Sequence, residues 1–246
     1  MGKSTTNSWS EKSWNPVTGC TKISKGCRRC YAKRIAEDLQ AKGNYKYRNG
    51  FNVTLHPDSL LDPLTIKKPH RIFVCSMSDL FHKDVPDQFI INVFDVMRRA
   101  CHHTFLILTK RSTRLRLMDQ AGLLKWQYNI WAGVSVENDK VYQRIDDLLA
   151  TKAKVKWLSI EPLLGEVDIS NRKVDWVVTG GESGKGSTPV DPDWVRKLRD
   201  QCLASNTPFL FKQWGGIYNN KRGCLIDGKK WNEYPVTRKA QCSLFD

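Results

Sequence analysis

The sequence predicts an α/β fold, a full or partial (βα) barrel on a parallel sheet in a single domain, and three observations point there. Short continuous apolar runs alternate with amphipathic helical stretches, the pattern of parallel strands covered on both faces. Six of these runs end in small or polar residues, as strands do where they open on a barrel mouth. The chain has 246 residues and 40% hydrophobic content, enough for one full core, and no repeat or low-complexity stretch divides it.

Taken in order, the first helix spans 31–40, where Tyr31, Ile35 and Leu39 recur at four-residue spacing and Gly43 marks the stop. Residues 43–70 break the alternation. The run 51–56 has strand character, but Pro57, Pro63 and Pro69 interrupt the residues beyond it, so this segment reads as a loop inserted over the mouth. His56 within it reads as a hydrogen-bonded structural histidine. Residues 71–75 form a buried strand, and Pro86 opens a helix with Phe89, Ile90, Val93, Phe94 and Met97 on one stripe. Strand and helix then alternate through a strand at 104–108, a helix near 114–124, a strand at 129–134, and a helix carrying Val141, Ile145, Leu148 and Leu149. Strands at 155–158 and 175–178 come next. Asp191 caps a helix that starts at Pro192 and carries Trp194, Val195, Leu198 and Cys202 on one side, before a last strand at 208–211. The barrel domain thus occupies 1–216, and 217–246 reads as an irregular extension in which Cys224 and Cys242 are incidental.

The strand ends carry the chemistry. They supply Ser76, Ser78 and Asp79; Thr109, Lys110 and Arg111; Ser135 and Glu137; Ser159 and Glu161; Gly180, Gly181, Glu182 and Ser183; and Lys212, Gln213 and Trp214. Any one of them could simply cap or start the next helix. Recurrence at six ends argues for one shared mouth, with Glu137, Glu161 and Glu182 as candidate catalytic groups and Gly180 and Gly181 as a wall that a ligand can approach closely.

Cys20, Cys27 and Cys30 form a C-x6-C-x2-C loop just before the first helix. Three soft thiolates suit an iron-sulfur cluster with one iron left open; zinc would need a fourth ligand that only folding could bring, and free thiols are the remaining alternative. Disulfides are the weakest expectation, because the other five cysteines are scattered singly and no signal-type segment opens the chain. No apolar run reaches transmembrane length, so the expected setting is a reducing cytoplasm. Lys and Arg outnumber Asp and Glu by 40 to 25, giving +15. The excess surrounds the cysteines at Lys22, Lys25, Arg28, Arg29, Lys33 and Arg34, and recurs at Lys67, Lys68, Arg71, Lys110, Arg111, Arg114 and Arg116. Nucleic acid is the polyanion that matches such a field.

Three cysteines on a loop ahead of a helix, with Ser76-Met77-Ser78-Asp79 after one strand and Thr109-Lys110 after the next, resemble the radical S-adenosylmethionine superfamily, within it the spore photoproduct lyase-like branch. The chain also resembles a phage- and prophage-borne family of small proteins through the strings at 14–20, 76–82, 108–111, 133–137, 161–165, 180–184 and 211–216. The resemblance implies that Cys20, Cys27 and Cys30 hold a [4Fe-4S] cluster whose open iron takes S-adenosyl-L-methionine. It further implies that Lys110 and Ser135 hold the cofactor carboxylate, that Ser78 and Asp79 sit at its polar end, and that Tyr31 takes part in the adenine contact. The first arm is three residues longer than the common C-x3-C-x2-C spacing, and Arg29 stands where an aromatic is usual. The implied activity is radical hydrogen abstraction, with isomerisation of a hypermodified thymine in phage DNA as the specific expectation and a flavodoxin or ferredoxin as electron donor. A radical DNA repair lyase and a zinc-stabilised nucleic-acid binder without catalysis are the alternatives.

Overall fold

The computed structural model describes residues 9–216 and 223–236. Its core is a seven-stranded, all-parallel sheet in which β1 (Lys12–Trp14) pairs with β4 (Arg71–Val74), followed by β5 (Thr104–Thr109), β6 (Ile130–Ser135), β7 (Val155–Ile160), β8 (Trp176–Thr179) and β9 (Phe209–Phe211). Strand order is chain order throughout, and β1 and β9 remain unpaired with each other, so the sheet is a partial barrel. A short antiparallel pair, β2 (Val17–Thr18) with β3 (Thr54–Leu55), stands beside it.

Apolar alternation sorts the two faces of this sheet. Ile72, Val74, Phe105, Ile107, Ala132, Val134, Leu158, Ile160, Val177 and Phe209 face outward into one cluster with the helices. The helices are α1 (Tyr31–Ala41), α2 (Asp87–Arg99), α3 (Ser112–Gln120), α4 (Gln143–Leu149) and α5 (Pro192–Ala204). The opposite, concave face holds Phe73, Leu106, Trp131, Trp157, Trp176, Val178 and Leu210, packed around Trp9. Helices therefore cover one face only, and tryptophans fill the other. Gly133 is required there: a Cβ on it would stand 2.3 Å from the Trp157 ring.

As the sequence predicts, no helix joins β7 to β8; the connection is an irregular loop whose Leu163, Val167, Ile169 and Val174 pack into the helical cluster. Several expectations change in detail. α1 buries Ala32 and Ala36 and leaves Tyr31 and Ile35 exposed, so its inner stripe lies one position past the apolar one. Small residues let the helix sit close to Tyr47 and Met77. α3 begins at Ser112 and ends at Gln120, short of 124, because Gly122 turns the chain at φ 71°. The 43–70 segment meets the mouth through Phe51 and Asn52 at the cysteine loop and through Tyr47, packed with Met77. Beyond His56 it runs down the flank, where Ser59 O accepts from Trp14 Nε1 at 2.8 Å and Pro63 O and Ile66 O meet His103 and His102 at the amino ends of the strands. His56 is buried with its Nε2 2.9 Å from Thr18 Oγ1, as a structural histidine.

Within the extension, the structure describes residues 223–236. A hairpin of β10 (Leu225–Ile226) and β11 (Lys229–Lys230) leads into residues 231–233, which bond antiparallel to β9 through Phe211 N to Trp231 O and Glu233 N to Phe209 O. The free edge of the sheet is thereby covered. Cys101 is disulfide-bonded, although disulfides were the weakest expectation. Spacing along the chain carries no information about cysteines that only the fold brings together. Cys224 is free and partly exposed, and Cys242 lies outside the described residues. No helix among the described residues is long and apolar enough to cross a membrane.

Candidate active site

The cysteine loop lies over the carboxyl ends of the strands. Gly19 starts it at φ 80°, where a Cβ would stand 2.2 Å from Asn52 O; glycine is what lets the loop pass under the 51–52 backbone, and Cys20 N then donates to Phe51 O at 3.2 Å. A parallel bridge joins Gly19 to Ser78. A single 3-10 turn at Lys25–Cys27 comes next, and Cys30 occupies the position that caps α1. All three thiols are free and partly exposed.

Four strand-end carboxylates surround the loop, and each holds a cation. After β4, Asp79 pairs with Arg111 at 2.9 Å; after β6, Glu137 pairs with Arg144 at 2.8 Å; after β7, Glu161 pairs with Lys212 at 2.8 Å; after β8, Glu182 pairs with Arg29 at 2.7 Å. Three of the four also fasten the cysteine loop. Arg111 reaches from Asp79 to Cys20 Sγ at 3.4 Å and to Thr21 O at 3.0 Å. Glu137 Oε1 accepts from Gly26 N at 3.4 Å, and Arg29 belongs to the loop itself. Glu137, Glu161 and Glu182 are thus brought to one mouth, but as paired anions that hold backbone and cations in place.

Asp79 organises the neighbouring strand end. Its Oδ1 accepts from Thr109 Oγ1 at 2.7 Å and Phe81 N at 3.0 Å, and its Oδ2 from Lys110 N at 3.1 Å as well as from Arg111. The backbone of 109–111 is fixed by this carboxylate. The Lys110 ammonium has no ion pair among the described residues and acts on Cys27 from nearby. Ser135 lies buried at the end of β6, beside Ser159 of β7. Ser78 Oγ donates to Val17 O at 2.8 Å, and Tyr31 Oη donates to Ser76 O at 2.6 Å.

Gly180 and Gly181 face a different neighbour. A Cβ on Gly181 would stand 2.2 Å from Trp214 O, and Gly181 N donates to Gln213 O at 2.8 Å. These glycines close β8 against residues 213–216, so their close approach is to backbone of the same chain.

Electrostatics divides the thiols. Burial and the Asp79 charge push Cys20 up to about 11 despite Arg111. At Cys27 burial opposes ionisation, but backbone hydrogen bonds at Ile23 and Ser24 and the Lys110 charge outweigh it and lower the thiol. His82 is a site residue that sequence reasoning missed: fully buried, it places Nε2 2.7 Å from Thr21 Oγ1 while Nδ1 accepts from Asp84 N at 3.2 Å. Burial and Arg111 depress its basicity, so it is a neutral strut under the cysteine loop. Its sequence signals were its place three residues past Asp79 and at the end of the string at 76–82.

The donor set suits a soft metal centre: three free thiols on one loop, with Lys110 and Arg111 beside them. Among the described residues, no three His, Cys, Asp or Glu side chains are gathered in one metal-holding group. The thiols fit a cluster by chemistry, whereas their arrangement here is that of a loop held by Arg111, Glu137 and Glu182.

Two solved structures align with the chain. A spore photoproduct lyase mutant does so with a TM-score of 0.49 and 13% identity, covering 96% of this chain and 70% of that one. Spore photoproduct lyase complexed with dinucleoside spore photoproduct aligns with a TM-score of 0.40 and 12% identity, covering 76% and 59%. No curated protein matches the chain. The cysteine loop, the strand-end carboxylates and the covering segment at 231–233 all fall within residues 4–235, which match the model of the DUF5131 family, described as a protein of unknown function, and the chain belongs to that family.

Proposed function

We propose that this protein is a radical S-adenosylmethionine enzyme that acts on DNA. The observation that carries the reading is the cysteine loop itself: three free thiols held by three strand-end carboxylates over the carboxyl ends of a parallel partial barrel, where such folds place their chemistry. Cys20, Cys27 and Cys30 would hold a [4Fe-4S] cluster, and Lys110 and Ser135 the carboxylate of S-adenosyl-L-methionine. When bound, that pair supplies reductive cleavage of the sulfonium and hence hydrogen abstraction.

The residues of this chain do the rest. Asp79 fixes the 109–111 backbone and so directs Lys110 across the mouth. Lys110, without an ion pair among the described residues, offers its ammonium to an anionic ligand, and Tyr31, anchored on Ser76 O, presents an exposed ring at the rim. Ser78, with its hydroxyl turned to Val17 O, shapes the polar end of the site. Gly180 and Gly181 act as structural glycines beneath it. Since Glu137, Glu161 and Glu182 are each paired, they position the loop and rim. The substrate of choice is a modified thymine of phage DNA, isomerised within a bacterial cell with electrons from a flavodoxin or ferredoxin. The exposed Lys22, Lys25 and Arg28 of the cysteine loop support a polyanionic substrate. A base in duplex DNA must be extruded to reach the mouth, at a cost of roughly a few kcal/mol.

Protein reconstituted without oxygen should bind about four irons per chain, as the open-site cluster requires. Cys20→Ala, Cys27→Ala and Cys30→Ala should each abolish this, and reduced protein should release 5'-deoxyadenosine. Lys110→Ala should keep the iron and lose affinity for S-adenosyl-L-methionine. Stoichiometric zinc without iron uptake would turn the reading toward a zinc-stabilised nucleic-acid binder.

A further inference from the structure

The basic residues seen in the sequence are not equally free. Arg114 is engaged by Asp87, His82 O and Val85 O, Arg116 by Asp147, and Arg111 by Asp79 and Thr21. These cations build the protein, so the charge available to a polyanion is narrower than composition suggests. Lys67 and Lys68 are exposed but precede β4, at the amino ends of the strands. Besides Lys110 and the exposed Lys22, Lys25 and Arg28 of the cysteine loop, one compact group remains at the mouth.

That group forms where α1 meets the loop joining β8 to α5. Glu182 draws Arg29 across the mouth, and its Oε2 also accepts from Thr188 N at 2.9 Å, which folds residues 183–188 toward the cysteine loop. Two glycines in this loop take left-handed conformations, Gly184 at φ 108° and Gly186 at φ 73°. A Cβ on Gly186 would stand 3.3 Å from Arg29 Nη2, and one on Gly184 would stand 3.9 Å from Arg34 Nη1. Both guanidinium groups therefore lie against backbone that carries no side chain. Lys185, between the two glycines, is exposed. Arg34 and Lys185 have no ion pair among the described residues, and Glu182 neutralises only Arg29. Two of the three cations are left without a counter-charge.

We infer that Arg29, Arg34 and the Gly184-Lys185-Gly186 turn form a seat for a DNA backbone phosphodiester at the rim of the mouth. A phosphodiester brings one negative charge and two acceptor oxygens to a place with two spare cations and no side chain to block approach. Arg29 lies between Cys27 and Cys30 in sequence, so a phosphate held there sets the adjoining nucleotide next to the thiols. This rests on the reading of DNA as substrate and adds where its backbone is held.

The test compares salt dependence in two double variants. Fluorescence anisotropy of a labelled 20-base duplex is followed against salt for wild type, Arg34→Glu/Lys185→Glu and Lys67→Glu/Lys68→Glu. Each neutralised phosphate contributes about 0.9 to the log-log slope, so losing the one seated phosphate should lower it by about 0.9 in the first variant and leave the second unchanged. All four positions are exposed, and matching melting curves establish that each variant is folded. Equal slopes in wild type and Arg34→Glu/Lys185→Glu would overturn the seat while leaving DNA as substrate. A wild type that binds no DNA would overturn the substrate reading as well. Inorganic phosphate and thymidine monophosphate serve as competitors: displacement of the duplex by either at micromolar concentration would reassign the seat to a small free anion, whereas failure to displace it supports the backbone contact.

Discussion

The two ends of this sheet solve opposite problems. At the carboxyl ends, four carboxylates and four cations occupy one mouth, and polar contacts hold a loop whose own apolar residue Ile23 is exposed. Deeper in, the concave face is closed by Trp9, Trp157 and Trp176, with ring centroids 5.3 and 5.4 Å apart. Buried ion pairs bring little net stability after desolvation, while buried aromatic area brings a good deal. The interior layer therefore keeps the fold, and the mouth above it is free to be shaped for binding.

The strongest way to break this contrast is to remove the plug. Trp157 is fully buried, and Trp157→Ala should cost about 3–5 kcal/mol, as large core cavities usually do. Chemical denaturation reads it directly. Cys27→Ala, in a partly exposed loop, should leave the midpoint nearly unchanged. Comparable losses for both would mean that the cysteine loop, and not the aromatic layer, holds the sheet together.

A smaller effect sharpens the comparison from the other end. Glu137 is buried with Arg144 and also accepts from Gly26 N, so Glu137→Gln leaves a buried guanidinium short of its counter-charge. The expected loss is about 3 kcal/mol, and it should come with faster amide exchange over 24–28 while exchange in β6 and β7 stays slow. Uniform acceleration across the sheet would show that the mouth and the plug unfold as one unit.

How much of this was legible depends on the range of the interactions. Strands and most helices were readable because apolar runs and local signals such as Pro86, Asp191 and Gly43 act within a few residues. The polar strand ends were readable as a set for the same reason. Their partners were not: Arg29 with Glu182 spans 153 positions, and Arg111 with Thr21 spans 90. Charge counting accordingly placed Arg114 and Arg116 among free cations when Asp87 and Asp147 had already taken them. Gly181 failed likewise, since a glycine needed for close approach does not say to what. The absence of a helix between β7 and β8 was legible too, because no apolar periodicity fills 161–175.

The amino ends of the strands offer the smallest and most specific test. His103 is buried at the start of β5, where Nδ1 accepts from His70 N at 3.1 Å and Nε2 meets Pro63 O at 3.1 Å, while His102 and His70 stack nearby and Glu11 approaches His70. Burial, with the charges of His102 and His70, pushes His103 down to about 4. The neutral ring is the one that fits, since protonating Nδ1 removes the acceptor of the His70 amide. The folded value lies below the ordinary 6.5, so the unfolded chain takes up the proton first as pH falls. The stabilisation is complete above about pH 6.5 and is lost progressively toward pH 4. Melting temperature should therefore decline over that window in wild type, and the decline should be shallower in His103→Gln, which does not titrate. Parallel pH profiles for the two proteins would remove His103 from the account and move acid sensitivity to the carboxylates of the mouth.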